Sequence, residues 1–188
     1  MTAPRLRRAD ARRNLDALLA AAKTVFAESG VDAPAKEITD RAGVGVGTLY
    51  RHFPLRSDLI KAVLEREVEA CAEVAVALSA EHEPFEALAR WIRRYTEFVA
   101  TKQGLAAALH SGDPAFDGLP AYLLEQLGPV LDPLLGAARA AGEIRAEVSA
   151  DDLLRAVAHL CHRAPGEGPE YSRRMIAVLV NGLRIATG

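Results

Sequence analysis

Leu15, Leu18, Leu19, Ala22, Val25 and Phe26 return at the three- and four-residue intervals that put side chains on one face of a helix, and Gly30 follows where a left-handed cap would end it. A second, shorter helix is predicted from Ala35 to Ala42. Pro34 suits its first turn, Ile38 and Ala42 give it an apolar side, and Gly43 stops it. Val44 and Gly45 bridge to a third helix over Val46 to Phe53, whose continuation Pro54 blocks. A long fourth helix is predicted from Leu55 to Leu78 on the recurrence of Leu59, Ala62, Val63, Ala70, Val74, Ala77 and Leu78, with its apolar face interrupted around Arg66 and Glu67.

Beyond Glu83 and Pro84 the same periodicity predicts helices over Phe85 to Thr101 and Leu105 to His110, a loop from Ser111 to Pro120, and a helix over Ala121 to Ala141 that Gly128, Pro129 and Pro133 kink or divide. Ser149 is placed to cap the next helix, with Asp151 and Asp152 in its first turn and His162 and Arg163 in its last. Glu170 to Ala186 closes the chain as a final helix. No segment has the alternation of a strand and no repeat emerges. The pattern predicts an all-α protein of about nine helices, in which a compact N-terminal three-helix unit precedes a larger helical bundle.

Composition reinforces that expectation: 36 Ala and 24 Leu stand against 27 Val, Ile and Thr, so helix formers outnumber β-branched residues about two to one. Hydrophobic residues at 50% argue against disorder, yet no apolar run approaches the roughly 18 residues that span a bilayer. Met1 to Arg13 is charged with no apolar segment after it, so it does not read as a secretory signal. Cys71 and Cys161 give no disulfide framework and fit a reducing cytoplasm. The net charge of −2 excludes a uniformly basic nucleic-acid wrapper. It conceals a division: residues 1 to 61 hold 11 basic and 7 acidic side chains, whereas the remainder hold 12 and 18.

The basic third contains the informative segment. From Ile38 to Phe53 two short helices are joined by Gly43 and Val44, a spacing that suits a helix-turn-helix whose first helix braces on the phosphate backbone and whose second enters the major groove. Gly45, Val46 and Gly47 are small enough to approach bases closely. Thr48 can meet a base edge or a thymine methyl, Tyr50 can donate to a phosphate, and Arg51 or His52 can reach either. Leu49 and Phe53, four apart, turn inward. Arg56, at the start of the fourth helix, is expected to clamp a further phosphate. The alternation of Gly43, Gly45 and Gly47 is not a nucleotide-binding loop, since that motif follows a strand and a short helix precedes this one. Arg5, Arg7, Arg8, Arg12 and Arg13 form a basic arm that is either solvated or reaches the DNA.

Taken together, Leu18, Ala22, Phe26 and Gly30, then Ile38, the run Ala42-Gly43-Val44-Gly45-Val46-Gly47-Thr48-Leu49-Tyr50-Arg51-His52-Phe53, and finally Arg56 and Leu59 resemble the DNA-binding domain of the TetR family of transcriptional regulators, over roughly residues 11 to 64. The resemblance implies a homodimer that binds a palindromic operator, most often as a repressor, and is released by a small molecule held in an all-helical C-terminal domain. It gives a flexible basic arm over 1–10, a DNA-binding domain over 11–61 and a ligand-binding and dimerisation domain over 62–188. The chain departs from the family where a Thr often opens the second helix, here Ala33 and Pro34, and where a hydroxyl and a small polar residue often precede the third and fourth helices, here Gly45 and Leu55. Weak helix caps are expected at those points.

Six of the ten aromatic residues fall between Phe85 and Tyr122. Trp91, Tyr95 and Phe98 share one helix face; they are either ordinary core or, with His110, Phe116 and Tyr122, the lining of a pocket for a partly apolar effector. His159, Cys161 and His162 lack a nearby carboxylate and a second cysteine, so packing and a helix-dipole contact are expected of them and no metal. The final helix is apolar almost all round and must bury two sides. The family resemblance makes the second side a dimer interface, with Leu153, Val157, Leu160, Met175, Leu179 and Leu183 as its candidates. No catalytic residue or cofactor is expected. A DNA-free helical adaptor and a ligand-dependent activator are the alternative functions.

Overall fold

The computed structural model describes residues 3–104, 114–144, 148–161 and 168–185. Among them the chain forms eight α-helices: α1 (Ala3–Ser29), α2 (Ala35–Ala42), α3 (Val46–His52), α4 (Arg56–Glu81), α5 (Pro84–Gly104), α6 (Leu119–Ala140), α7 (Ala150–Cys161) and α8 (Pro169–Leu183), with a short 3-10 turn at Pro114–Phe116. An isolated antiparallel bridge between Ile144 and Arg184 is the single extended pairing among the described residues. The helix expected over Leu105 to His110 lies outside them.

The chain divides into two compact units, one of Met1–Arg66 with Thr101–Asp117, the other of Glu67–Ala100 with Gly118–Gly188. In the first, α1 packs on α2 and α2 on α3. Leu18, Ala22, Val25 and Phe26 of α1, Ile38 of α2 and Leu49 and Phe53 around α3 are buried, so the apolar stripes read from the sequence meet in one core. Gly30 and Gly43 adopt left-handed φ values of 79° and 68°, which the helix endings require and side chains resist. At Gly43 the amides of Gly43 and Val44 return to the carbonyls of Asp40 and Thr39, closing α2 with a two-bond cap.

α1 begins at Ala3, so the stretch 3–10, expected as a flexible arm, is its opening turns. Pro4 falls in the first turn, where an N–H has no helical acceptor, and the Arg and Ala that follow are good helix formers.

In the second unit α6 packs on α7 and α7 on α8. α6 is continuous through Pro129 and Pro133 rather than divided. Both prolines are exposed and four residues apart, so the carbonyls that lose helical partners lie on one outward side where water can reach them. Ser149 caps α7 as its sequence suggests: its Oγ accepts from the Asp152 amide at 3.1 Å and donates to the Asp152 carboxylate at 2.6 Å. His162 and Arg163, expected in the last turn of that helix, are outside the described residues.

Candidate nucleic-acid interface

α3 is seven residues long, too short to persist without support. Its support comes from below: Leu49 is 3% exposed and Phe53 is buried beside it, while the Phe53 amide donates to the Leu49 carbonyl at 2.8 Å. The opposite face is free. Gly45, Gly47, Arg51 and His52 are exposed, Val46 is 39% and Tyr50 54% exposed, and Thr48 is half-buried. Val46, Gly47, Tyr50 and Arg51 therefore stand on one helical face, with an apolar side chain, a gap, a phenol and a guanidinium in sequence. A Cβ added to Gly47 would lie 3.9 Å from Nη2 of Arg51, so the Arg51 side chain lies back along the glycine. This unit offers a groove-sized helix whose outer surface is small at its start and cationic at its end.

The weak caps expected at two helix starts are present. Neither Pro34 before α2 nor Gly45 before α3 makes a side-chain capping bond. At α4 the expectation is only half met: the Leu55 side chain cannot cap, but the carboxylate of Asp58 accepts from the Leu55 amide at 3.1 Å, the reciprocal arm of a capping box. α2 is tied to α1 by side chains that sequence reasoning missed. Ser29 Oγ donates to Glu37 at 2.9 Å, and Arg41 pairs with Glu28 at 2.9 Å, which raises the Arg41 pKa. Nothing local in the sequence marks these pairs, because each joins different helices.

Arg56 is a correction. Expected on a phosphate, it instead turns into its own unit, where Nε donates to the Val31 carbonyl at 2.6 Å and an Nη to the Ala33 carbonyl at 2.5 Å. Its guanidinium also sits 5.1 Å from the centre of the Phe26 ring. Burial lowers its pKa, with the nearby Asp32 opposing that shift. Two carbonyls with fixed positions suit a planar fork of donors.

The aromatic group in the second unit is also placed differently from a pocket lining. Trp91 has no exposed surface, and Tyr95 and Phe98 are buried. Trp91 stacks on Tyr95 with centroids 5.6 Å apart, and Tyr95 meets Phe98 at 6.0 Å. Trp91 Nε1 donates to the Cys71 carbonyl at 2.9 Å and the Tyr95 hydroxyl to the Leu154 carbonyl at 3.3 Å. The three fill core because α4 and α7 supply acceptors for their polar edges. Burial pushes the Tyr95 phenol well above its ordinary pKa. Phe116 is buried in the other unit, Tyr122 is half-buried, and His110 lies outside the described residues.

Of the candidate interface residues, Leu153, Val157 and Leu183 are buried within their own chain. Leu160, Met175 and Leu179 are half-buried, and the exposed large apolar residues of the last helix are Tyr171 and Val178. His159 is exposed while Cys161 is buried, and His162 is outside the described residues, among which no group of three His, Cys, Asp or Glu side chains could hold a metal ion. No helix among the described residues is long and apolar enough to cross a membrane.

A recognition-type helix held from below, preceded by a bracing helix and the three-residue turn Gly43 to Gly45, defines a helix-turn-helix DNA-binding regulator. Residues 18–63 match the family described as bacterial regulatory proteins, tetR family, and residues 83–185 match the C-terminal domain of SbtR-like transcriptional regulators. The protein belongs to the TetR family of transcriptional regulators. A TetR transcriptional regulator from Streptomyces coelicolor is 36% identical, with a TM-score of 0.76 over 92% of this chain and 99% of that one. A TetR regulatory protein from Mycobacterium vanbaalenii is also 36% identical, with a TM-score of 0.72 over 95% of this chain and 99% of that one. An HTH-type transcriptional regulator of Staphylococcus aureus is 38% identical over 68 residues, 35% of each chain. The match thus spans about a third of the length of the curated relatives.

Proposed function

We propose that this protein is a cytoplasmic repressor which binds a palindromic operator as a homodimer and leaves it when a small molecule binds. The observation that carries the reading is the two-sidedness of α3: Leu49 and Phe53 are committed to the core, while Val46, Gly47, Tyr50 and Arg51 are exposed. Gly45, Gly47 and Val46 approach the bases, Thr48 reads an edge, Tyr50 bonds a phosphate, and Arg51 and His52 reach base edges and phosphates. Residues 11–61 do the reading, and 62–188 bind the effector and dimerise.

The three sides of α8 support the second half of the reading. At 3.6 residues per turn, Ser172, Ile176, Val180 and Leu183 fall on one side and are buried. Tyr171, Met175, Val178 and Gly182 recur at heptad spacing on a second side that remains largely uncovered, and a twofold-related copy of the helix would bury it. The third side, with Arg173, Ala177 and Asn181, faces α5 across a groove of about 460 Å³ whose lining also includes Arg93, Thr96 and Glu97 and, at the border with the buried side, Ile176 and Val180. That volume suits a small molecule. With the aromatic core filled, this groove is the preferred effector site, and its apolar floor with charged groups of both signs favours a partly apolar molecule. Such an effector acts only if it binds the non-DNA-competent form more tightly.

The test is selection of duplexes from a random pool by the full chain, followed by salt titration of the enriched sequence. A palindrome with half-sites about one helical turn apart and a steep negative salt slope is expected. No enrichment, or an affinity indifferent to salt, overturns the reading in favour of a helical adaptor.

A further inference from the structure

α2 has to be held in place for the helix after it to meet DNA, yet it starts with no capping side chain. What fixes its start is the connection from Gly30 to Pro34, in which Val31 and Ala33 are buried. The carbonyls of those two residues both point at one guanidinium, that of Arg56 on the first turn of α4. The same group covers the ring of Phe26, itself buried in α1. One side chain therefore joins the end of α1, the entry to α2 and the start of α4. An ammonium group could not reproduce this, because it lacks the planar pair of donors that meets two carbonyls at once.

We propose that Arg56 is a positioning residue for DNA binding: it substitutes for the missing cap of α2 by clamping the α1–α2 connection to α4, and so sets the angle at which α3 is presented. The proposal rests on the reading of this unit as DNA-binding. It differs from a phosphate contact in what it does to the salt dependence. A phosphate ligand contributes about −0.9 to the slope of log affinity against log salt, whereas a positioning residue changes the fraction of molecules that are binding-competent and leaves the slope alone.

The experiment compares the wild-type chain with Arg56→Met, which keeps an apolar stem against Phe26 and removes the donors, and with Arg56→Lys. Binding to a random-sequence duplex is titrated against salt for each, below the melting temperature measured by circular dichroism. Arg51→Met serves as the phosphate-loss comparison. Both Arg56 variants are expected to lose affinity by about tenfold, as when the competent fraction falls to about one-tenth, with the slope unchanged. Amides from Val31 to Ile38 should exchange faster in the Arg56 variants. A slope shallower by about 0.9 in Arg56→Met makes Arg56 a phosphate ligand and overturns the proposal. Unchanged affinity with a lowered melting temperature makes it merely structural and overturns it equally. Should both variants fail to fold, the wild type decides. Its Arg56 Nε–H should be protected from exchange without DNA and unshifted when duplex is added, and a large shift on addition overturns the proposal. A wild-type chain that binds no duplex fails the DNA-binding reading itself, which is a separate result.

Discussion

Leu49→Ala should separate the anchoring of the recognition helix from its contact surface. Leu49 is 3% exposed, so nearly all of its side chain is in the core of the first unit, and truncation removes three carbons from a site that neighbouring helices cannot fully close. Comparable core truncations cost about 2–5 kcal/mol. α3 is seven residues long and has no side-chain cap at its start, so it has little stability of its own with which to resist that loss. At about 1.4 kcal/mol per tenfold, even 2 kcal/mol would lower the docking equilibrium constant of α3 about thirtyfold if the loss fell wholly on docking. Hydrogen exchange at the amides of Leu49 to Phe53, read beside operator affinity, measures both quantities in one preparation. The expected result is faster exchange at α3 together with weaker operator binding. Full protection of α3 together with wild-type affinity would refute the view that Leu49 holds the helix in place.

Tyr50→Ala should do the reverse, since the side chain is 54% exposed: stability within about 0.5 kcal/mol of wild type, and weaker binding to every duplex sequence in a gel-shift series. An unchanged affinity removes Tyr50 from the phosphate contacts. The raised pKa of Tyr95 means that the folded state holds this proton more tightly than the unfolded chain, so its stability contribution is intact below about pH 10 and is lost as the pH climbs above it. Between about pH 10 and 11, Tyr95→Phe should flatten the fall of unfolding free energy by as much as about 1.4 kcal/mol per pH unit; parallel curves for the two proteins would contradict this. Val178→Glu places a charge on a residue that is 64% exposed, so the folded chain should persist while sedimentation finds monomers, with a thermal midpoint lowered by the loss of the partner. A persistent dimer moves the interface off this side of α8.

The parts of the fold that were legible in the sequence are those set by nearby residues. α2 has the bounds that Pro34 and Gly43 impose, and Leu49 and Phe53 are buried because their four-residue spacing leaves them no other face. What was not legible depends on residues far along the chain. The spacing of Trp91, Tyr95 and Phe98 puts them on one face, but whether the space opposite is empty depends on Cys71 and Leu154, whose carbonyls arrive on α4 and α7. Arg56 read as a phosphate ligand because the sequence displays its charge and not the carbonyls of Val31 and Ala33, 25 and 23 positions away. In the last helix, apolar residues on every side left undecided which side the chain itself would cover. The burial of Leu183 and exposure of Val178 answer that through the packing of α7 on α8.

The division of labour within α3 bears on how such a protein changes over generations. Two residues, Leu49 and Phe53, hold the helix, while the positions that face outward, Val46, Gly47, Tyr50 and Arg51, contribute little to folding. Mutations at the outward positions are therefore screened by their effect on DNA and hardly at all by their effect on stability. A duplicated copy of this gene could acquire a new operator through one or two such substitutions without passing through an unfolded intermediate, and two descendants could come to regulate different genes from the same scaffold.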